Sequence, residues 1–189
     1  MRIVGGSFRG RVLADVGKGD SAAHLRPTTD RVRENIFNIL TGGRFGDPIT
    51  NARVLDLFAG TGALGLEAIS RGAAHATFID DGDAAMALIK KNVALCKAEG
   101  VTRIFRGNAT QLGIHADKPF DLVFLDPPYG RNLGTKALDA ALIGGWVANN
   151  ALIVLEEGSA VSAPANFAIL DRRRYGDTHV SFLKVEASA

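Results

Sequence analysis

From residue 53 onward, short apolar runs alternate with longer segments typical of helices, and this pattern limits the possible folds. Short apolar runs predict buried strands, and the segments between them place apolar residues at helical spacing. The predicted strands are 53–58, 76–80, 102–107, 120–126 and 151–157, and the predicted helices are 63–72, 83–100 and 134–146. Alternating strands and helices predict an α/β fold, a doubly wound, mostly parallel Rossmann-like sheet covered on both faces.

The two ends of the chain depart from this alternation. Residues 1–14 predict a short β-hairpin, and residues 28–40 predict a helix with an apolar stripe. Residues 167–176 and 179–187 predict a final pair of strands, which adds an antiparallel strand to the sheet. The length of 189 residues suits one domain of ordinary size with a short extension.

Composition excludes several classes of protein. A single cysteine, Cys96, excludes an internal disulfide, and the four histidines and Cys96 lack metal-ligand spacing, so no metal is expected. No apolar run reaches the roughly 18 residues that a membrane-spanning helix needs, so no membrane partner is expected. The N-terminal residues lack the apolar stretch of a signal peptide, and a cytoplasmic location is expected.

Basic residues are concentrated at the beginning of the chain. Residues 1–35 contain seven basic and four acidic side chains, a net charge of +3, whereas the remainder carries −1. A basic segment on a nearly neutral body indicates an anionic partner.

A glycine-rich turn follows the first predicted strand. In "DLFAGTGALG", Gly60, Gly62 and Gly65 fit G-x-G-x-x-G, which allows a tight turn and close approach of a ligand to the backbone. Asp80 lies 20 residues after Gly60, at the end of the second predicted strand, where a carboxylate can accept hydrogen bonds from ribose hydroxyls. Together these features predict a nucleoside-type cofactor.

The neighbouring residues favour S-adenosyl-L-methionine over NAD. Asp56 places a negative charge before the glycines, which suits the ammonium group of S-adenosylmethionine better than a pyrophosphate, although it can also simply brace the loop. Phe58, in the same turn, is also expected to contact the cofactor. Asn108 and the backbone amide of Ala109 are candidates for reading the adenine edge, although an asparagine there also commonly forms a turn.

Two motifs now connect the chain to a known family. "DLFAGTGALGLEA" and "FLDPPYG" resemble the S-adenosylmethionine-dependent methyltransferases that act on exocyclic amino groups of bases. With "MRIVGGSFRGRVL" and "LRPTTDRVRENIFNIL", the chain closely resembles the bacterial RsmD family. The resemblance implies methyl transfer to N2 of a guanine in 16S ribosomal RNA, in an assembled or partly assembled small-subunit particle. A monomer is expected.

The stretch "DPPY" supplies the chemistry that such a reaction needs. The lone pair of an exocyclic amine is delocalised into the base, so acceptors for its two N–H bonds favour attack. The Asp126 side chain and the Pro127 carbonyl are the expected acceptors, and the two prolines fix the backbone. Tyr129 is expected to stack on the base, and Pro128 to contact the substrate. Asp126 is also expected to contact the cofactor.

The resemblance and the charge asymmetry together predict the RNA-binding side. Residues 1–42 are expected to form this extension and residues 43–189 the methyltransferase domain. Many relatives have Glu where this chain has Asp80, so Asp81 is considered as a residue that shares its role. The predicted phosphate-binding rim and the substrate residues carried over from the family are Arg9, Arg11, Arg26, Thr28, Arg31 and Arg33.

Three alternatives remain open from the sequence. The motif equally suits an adenine-N6 methyltransferase acting on DNA or RNA. The glycine turn alone also suits an NAD-dependent oxidoreductase, although no catalytic partner for one is evident. A non-catalytic ribosome assembly factor would have no use for the intact "DPPY".

Overall fold

The structure is a computed structural model that describes residues 1–15 and 30–186. Within these ranges the helices are α1 (Asp30–Thr41), α2 (Ala63–Ser70), α3 (Asp83–Cys96) and α4 (Leu133–Ile143). The strands are β1 (Arg53–Leu57), β2 (His75–Asp80), β3 (Thr102–Arg106), β4 (Phe120–Leu125), β5 (Val147–Glu157), β6 (Phe167–Tyr175) and β7 (Thr178–Val185).

The seven strands form one sheet in the order β3-β2-β1-β4-β5-β7-β6. Strands β1 to β5 are parallel, whereas β7 runs antiparallel to both β5 and β6. The prediction of a mostly parallel sheet with an antiparallel C-terminal pair is confirmed. The strand order reverses between β1 and β4, and in such sheets ligands bind beyond the carboxyl ends of the strands at this point.

Helices cover both faces of the sheet, and alternate side chains of each central strand enter different cores. Val54 and Phe124 face the core that contains α1, α2 and α3, where the Phe124 ring lies 5.6 Å from that of Phe37. Leu55 and Val123 face the second core, which contains α4. Because side chains alternate along a strand, strands buried on both sides appear in the sequence as continuous apolar runs.

The N-terminal residues form less β-structure than predicted. Arg2 and Val12 form an isolated antiparallel bridge, and the backbone amides of Ile3 and Leu13 donate across the two arms to Arg11 and Met1. The 3₁₀ turn Gly6–Phe8 joins the arms, as expected for a hairpin. The backbone amides of Val4 and Gly5 donate to the carboxylate of Glu67, each at 2.8 Å. Since a side chain from α2 satisfies these donors, they do not contribute to a strand ladder.

Two element boundaries differ from the prediction by four residues. Helix α3 ends at Cys96 rather than continuing to residue 100, because Lys97 adopts a left-handed conformation with φ of 52°. Strand β5 begins at Val147, four residues before the predicted start, and its register against β4 shifts between Phe120 and Leu122. No helix among the described residues combines the length and apolar character needed to cross a bilayer.

Candidate active site

Three aspartates near the carboxyl ends of neighbouring strands meet at one cavity. Asp56 lies in β1, Asp80 ends β2 and Asp126 follows β4, so all three reach the carboxyl edge of the sheet at the reversal of strand order. The cavity has a volume of about 690 Å³. Its other lining residues include Met1, Phe58, Gly60, Asp81, Pro127, Pro128, Tyr129 and Arg131.

The glycine turn between β1 and α2 is tightly constrained. Gly62 precedes α2 with φ of 75°, a left-handed conformation that glycine adopts without steric cost. Gly65 lies in α2 so close to the sheet that a Cβ atom would lie 2.4 Å from the Phe78 ring. Phe58 is left-handed as well, with φ of 57°, although it carries a side chain. Such conformations persist where the surroundings enforce them, and they are common at binding sites.

Asp80 is held against the glycine turn by two backbone amides. Its Oδ2 accepts from the Gly60 amide and its Oδ1 from the Gly82 amide, both at 2.9 Å. Each carboxylate oxygen retains acceptor capacity for a ligand. The carboxylate is therefore oriented before any ligand arrives, and the bond to Gly60 shows how the shorter aspartate stays close to the turn. Asp81 is exposed and also lines the cavity.

Asp56 is almost completely buried, with 1% of its surface exposed. Burial raises the pKa of its carboxyl well above the usual range, a hydrogen bond from Gly65 opposes this rise, and the charges of Asp126 and Asp80 add to it. The hydrogen bond joins Asp56 Oδ2 to the Gly65 amide at 2.9 Å. Asp56 thus braces the turn and also lines the cavity.

Asn108 forms a turn beside this site. Its Oδ1 accepts from the backbone amide of Thr110 at 2.9 Å and from the Thr110 hydroxyl at 2.8 Å, and so caps the 3₁₀ turn Ala109–Gln111. Asn108 is exposed and Ala109 is buried. Neither residue lines the cavity described above. Their contact with adenine stays a prediction.

The residues of "DPPY" all line the cavity, at the start of a segment that we name the DPPY loop (residues 126–131). Pro127 is buried, Pro128 is exposed, and Asp126 and Tyr129 are half-buried. The Tyr129 hydroxyl donates to Glu156 Oε1 at 3.3 Å. Burial is the main cause that raises the pKa of this phenol. The loop therefore presents a carboxylate, a restrained backbone and an aromatic ring to one space.

The predicted phosphate-binding residues have different surroundings. Arg9 and Arg31 are exposed. Arg11 is half-buried, donates to the backbone carbonyl of Leu95, and lies over the Phe8 ring at 5.6 Å. Exposed Arg131, which the sequence did not single out, lines the cavity. Two further predicted residues, Arg26 and Thr28, lie outside the described residues.

Arg33 does not belong to an exposed rim. Its side chain is fully buried and contacts Asp30 at 2.8 Å and Glu67 at 3.6 Å. Its spacing from Ile36, Phe37 and Leu40 places it on the apolar face of α1. That spacing was the available signal, and it outweighs the residue type. The expected phosphate contact of Arg33 is replaced by a structural role.

Glu67 is the principal polar residue that the sequence interpretation missed. It is fully buried in α2 and accepts from Arg71 Nε at 2.8 Å, in addition to the amides of Val4 and Gly5. It thereby connects the N-terminal segment and α1 to the helix that begins at the glycine turn. Within "ALGLEAIS" a single acid among apolar residues was the only available signal.

Across residues 1–15 and 30–186, no group of three or more His, Cys, Asp or Glu side chains could hold a metal ion.

Comparison with solved structures defines the class of protein. The structure of yhhF from Escherichia coli, a candidate methyltransferase, matches 100% of this chain and 99% of its own with a TM-score of 0.81 and 38% identity. TrmN from Thermus thermophilus matches 86% of this chain and 51% of its own with a TM-score of 0.66 and 22% identity, which concerns the fold alone. The chain has the α/β fold of methyltransferase-like proteins.

Comparison of sequences then defines the family. A family model described as "Conserved hypothetical protein 95" matches residues 1–184. Ribosomal RNA small subunit methyltransferase D of Escherichia coli (strain K12) is 42% identical over 172 residues, which cover 89% of this chain and 82% of that protein. The same-named protein of Haemophilus influenzae is 35% identical over 181 residues, covering 93% and 89%. The chain belongs to the family of ribosomal RNA small subunit methyltransferase D.

Proposed function

We propose that this protein transfers a methyl group from S-adenosyl-L-methionine to the exocyclic N2 of a guanine in 16S ribosomal RNA. The observation that carries the proposal is the convergence of the Asp80-anchored glycine turn and the DPPY loop on one cavity. Relatives named as methyltransferases of small-subunit ribosomal RNA support the class of substrate.

The residues around the cavity fit S-adenosylmethionine. Asp56, Asp80 and Asp126 line it together, and their mutual repulsion helps to raise the pKa of Asp56. Such a site disfavours a pyrophosphate and suits a ligand that carries an ammonium and a sulfonium group. We assign Asp80 to the ribose hydroxyls and Asp56 to the ammonium side. When bound, the cofactor supplies an electrophilic methyl group.

The DPPY loop acts on the nucleophile. The Asp126 carboxylate and the Pro127 carbonyl accept hydrogen bonds from the two N–H groups of the guanine amine, which frees its lone pair for attack. As the new bond from nitrogen to the methyl group forms, the bond from sulfur to that methyl group breaks, S-adenosylhomocysteine would be the leaving group, and the methylated amine loses one proton to solvent. Because proline restricts the backbone at residues 127 and 128, these acceptors are oriented in advance. Tyr129 stacks on the base and holds it towards the cofactor side of the cavity. Pro128, exposed at the same edge, contacts the substrate.

The N-terminal extension, residues 1–42, forms the RNA-binding side of the enzyme, and residues 43–189 form the methyltransferase domain. Exposed Arg9 and Arg31 supply phosphate contacts, and Arg131 extends the basic edge to the cavity. Three arginines can bind the phosphate backbone of RNA, but they cannot distinguish many base sequences. An RNA that is already folded, as in an assembled or partly assembled ribosomal particle, can be recognised by its shape and needs fewer base-specific contacts.

A methyl-transfer assay tests the proposal. Purified small subunits from cells that lack the enzyme are incubated with labelled S-adenosylmethionine, and the nucleosides are separated by mass spectrometry. We expect N2-methylguanine, formed faster on the particle than on a naked oligonucleotide at matched salt. N6-methyladenine as the product would favour the adenine alternative. Absence of transfer, with tight binding of NAD, would favour an oxidoreductase.

A matched pair of aspartate variants identifies the site in that assay. Asp126→Ala should abolish most transfer, whereas Asp117→Ala should retain it. Asp117 is 60% exposed and pairs with Arg103 at 3.0 Å, so its replacement removes a surface charge away from the cavity.

A further inference from the structure

Strand β5 ends in two consecutive glutamates that are both buried. Glu156 is 3% exposed and Glu157 is 6% exposed. Glutamate is rarely buried to this extent unless partners hold its carboxylate, because desolvation of a charge is costly. Each of the two side chains has a neighbour in the DPPY loop, Tyr129 for Glu156 and Gly130 for Glu157.

Glu156 holds Tyr129 from one face of the sheet. Its Oε1 accepts from the Tyr129 hydroxyl at 3.3 Å, and the same hydroxyl lies 3.4 Å from Oγ1 of Thr178, the first residue of β7. The ring itself packs on Gly158, where a Cβ atom would lie only 2.8 Å from Tyr129 Cδ2. The phenol is therefore fixed at its hydroxyl end and along its ring.

Glu157 faces the next residue of the loop from the other side of the sheet. Burial raises the pKa of the Glu157 carboxyl, and the backbone amides of Gly158 and Gly130, which face this carboxyl, oppose the rise. A Cβ atom at Gly134 of α4 would lie 3.5 Å from both Glu157 Oε1 and Pro127 Cγ, so Glu157 and Pro127 approach the same point of α4. Successive side chains of a strand point to opposite faces, and this explains how neighbouring glutamates reach the loop from two sides.

The two glutamates restrain the part of the loop that the prolines leave free. Proline fixes φ at residues 127 and 128, but not at Tyr129 or Gly130. Gly130 has φ of 77°, in the left-handed region, and glycine can adopt many other backbone conformations at little cost. Tyr129 is held by its hydrogen bond to Glu156, and the backbone amide of Gly130 faces the Glu157 carboxyl.

We infer that Glu156 and Glu157 are positioning residues for methyl transfer, which fix the Tyr129 ring and the Gly130 backbone so that the base is presented in one orientation. This inference rests on the proposed function of the same cavity. Neither glutamate lines the cavity, so both act through the DPPY loop and not by contact with the reacting atoms. A misplacement of about 1 Å can reduce a rate by about 100-fold, so a buried positioning pair has a measurable effect.

A double-mutant cycle between Glu156 and Tyr129 tests the inference. Glu156→Ala and Tyr129→Phe should each lower kcat by about 10-fold or more, while Kd for S-adenosylmethionine stays unchanged. The double variant should be no slower than either single variant, because both remove the same hydrogen bond. Rate reductions that multiply, or an unchanged kcat in Tyr129→Phe, would overturn the assignment.

A conservative variant separates positioning from charge and guards against misfolding. Glu156→Gln retains an oxygen that accepts from the Tyr129 hydroxyl, so kcat should remain near that of the wild type. If Glu156→Gln loses as much activity as Glu156→Ala while its thermal unfolding is unchanged, the negative charge is required and positioning is overturned.

A spectroscopic readout on the free protein keeps this inference distinguishable from the proposed function. The chain has two tyrosines, so Tyr175→Phe leaves Tyr129 as the only phenol in an ultraviolet titration. Glu156→Gln in this background should lower the pKa of Tyr129, because the charge of Glu156 raises it. The matched control, Glu157→Gln, should leave it unchanged. If the two glutamine variants shift the pKa of Tyr129 equally, the interaction between Glu156 and Tyr129 is not specific and the inference is overturned. If the wild-type protein transfers no methyl group, the proposed function fails instead.

Discussion

The Asp56 carboxylate and the Gly65 amide are joined by a hydrogen bond of 2.9 Å, which ties β1 to the first turn of α2 across the glycine turn. The acceptor is buried, so its proton affinity depends on the occupant of the cavity beside it.

We expect the affinity for S-adenosylmethionine to increase with pH across the acidic range. Burial raises the pKa of Asp56 in the folded protein above its unfolded value of about 3.9. Between these two values the folded state binds more protons, so the free energy of unfolding decreases as pH rises. A cationic ligand favours the ionised carboxylate, so its binding releases a proton. Calorimetry in buffers of different ionisation enthalpy measures that release.

The control for this experiment is Asp56→Asn, which keeps an acceptor for Gly65 but cannot ionise. Its affinity should be weaker and should lack the proton release. Proton uptake by the wild type, or identical pH profiles for both proteins, would contradict the assignment of Asp56 to the ammonium side.

Asp80→Ala should weaken binding of S-adenosylmethionine by roughly 1.5–3 kcal/mol, the scale of hydrogen bonds to a charged group. The variant also frees the amides of Gly60 and Gly82, which Asp80 now holds. Calorimetry measures the decrease in affinity directly. Asp81→Ala is the neighbouring control and should have a smaller effect, since Asp81 is exposed. Equal decreases at both positions would show that the two carboxylates share the ribose.

Asp126→Ala should reduce turnover by about 100-fold or more, the effect of removing one preorganised electrostatic interaction. Most of the affinity for the cofactor should remain, and Asp126→Asn should be more active than the alanine variant because its amide oxygen still accepts a hydrogen bond. Single-turnover rates at saturating cofactor compare the three proteins. An asparagine variant as inactive as alanine, with an intact fold, would indicate that Asp126 removes a proton.

Replacement of Arg9 and Arg31 by alanine should weaken RNA binding. The slope of log affinity against log salt concentration should become shallower by about 0.7–0.9 for each phosphate that is no longer neutralised. Both side chains are exposed, so folding should be preserved. Filter binding at a series of salt concentrations provides the slope.

Arg33→Ala is the contrasting variant, because Arg33 is buried against Glu67. It should leave the salt slope unchanged and lower the free energy of unfolding by about 3–5 kcal/mol, the effect of removing one partner of a buried ion pair. A change in slope without a decrease in stability would return Arg33 to the RNA-binding surface.

Much of the sheet could be predicted because its strands are buried on both faces. Val54 to Leu57 and Leu122 to Leu125 are apolar in nearly every position, and this pattern is hard to confuse with a surface strand. Asp56, Asp80 and Asp126 could be placed together for the same reason, since the ends of neighbouring parallel strands meet.

What the sequence did not reveal depends on long-range polar contacts. Glu67 accepts hydrogen bonds from the amides of Val4 and Gly5, which are more than 60 residues away in the sequence. No local sequence pattern predicts a partner at that distance. Arg33 was assigned by its residue type, although its helical spacing indicated burial. The sequence assigned no role to Glu156 and Glu157 beyond the end of a strand, because their neighbours Tyr129 and Gly130 lie more than 25 residues earlier in the chain.

The anchoring of the N-terminal segment also sets an order of events during synthesis. Val4 is bound by Glu67, 63 residues later, and the amide of Ala14 by the buried side chain of Asn92, 78 residues later, at 2.7 Å. The same Asn92 donates to the Thr61 carbonyl in the glycine turn at 2.8 Å. Val4 and Ala14 can therefore dock only after α2 and α3 have been synthesised. Because Asn92 contacts both the glycine turn and the N-terminal segment, these two parts of the chain are expected to become ordered together.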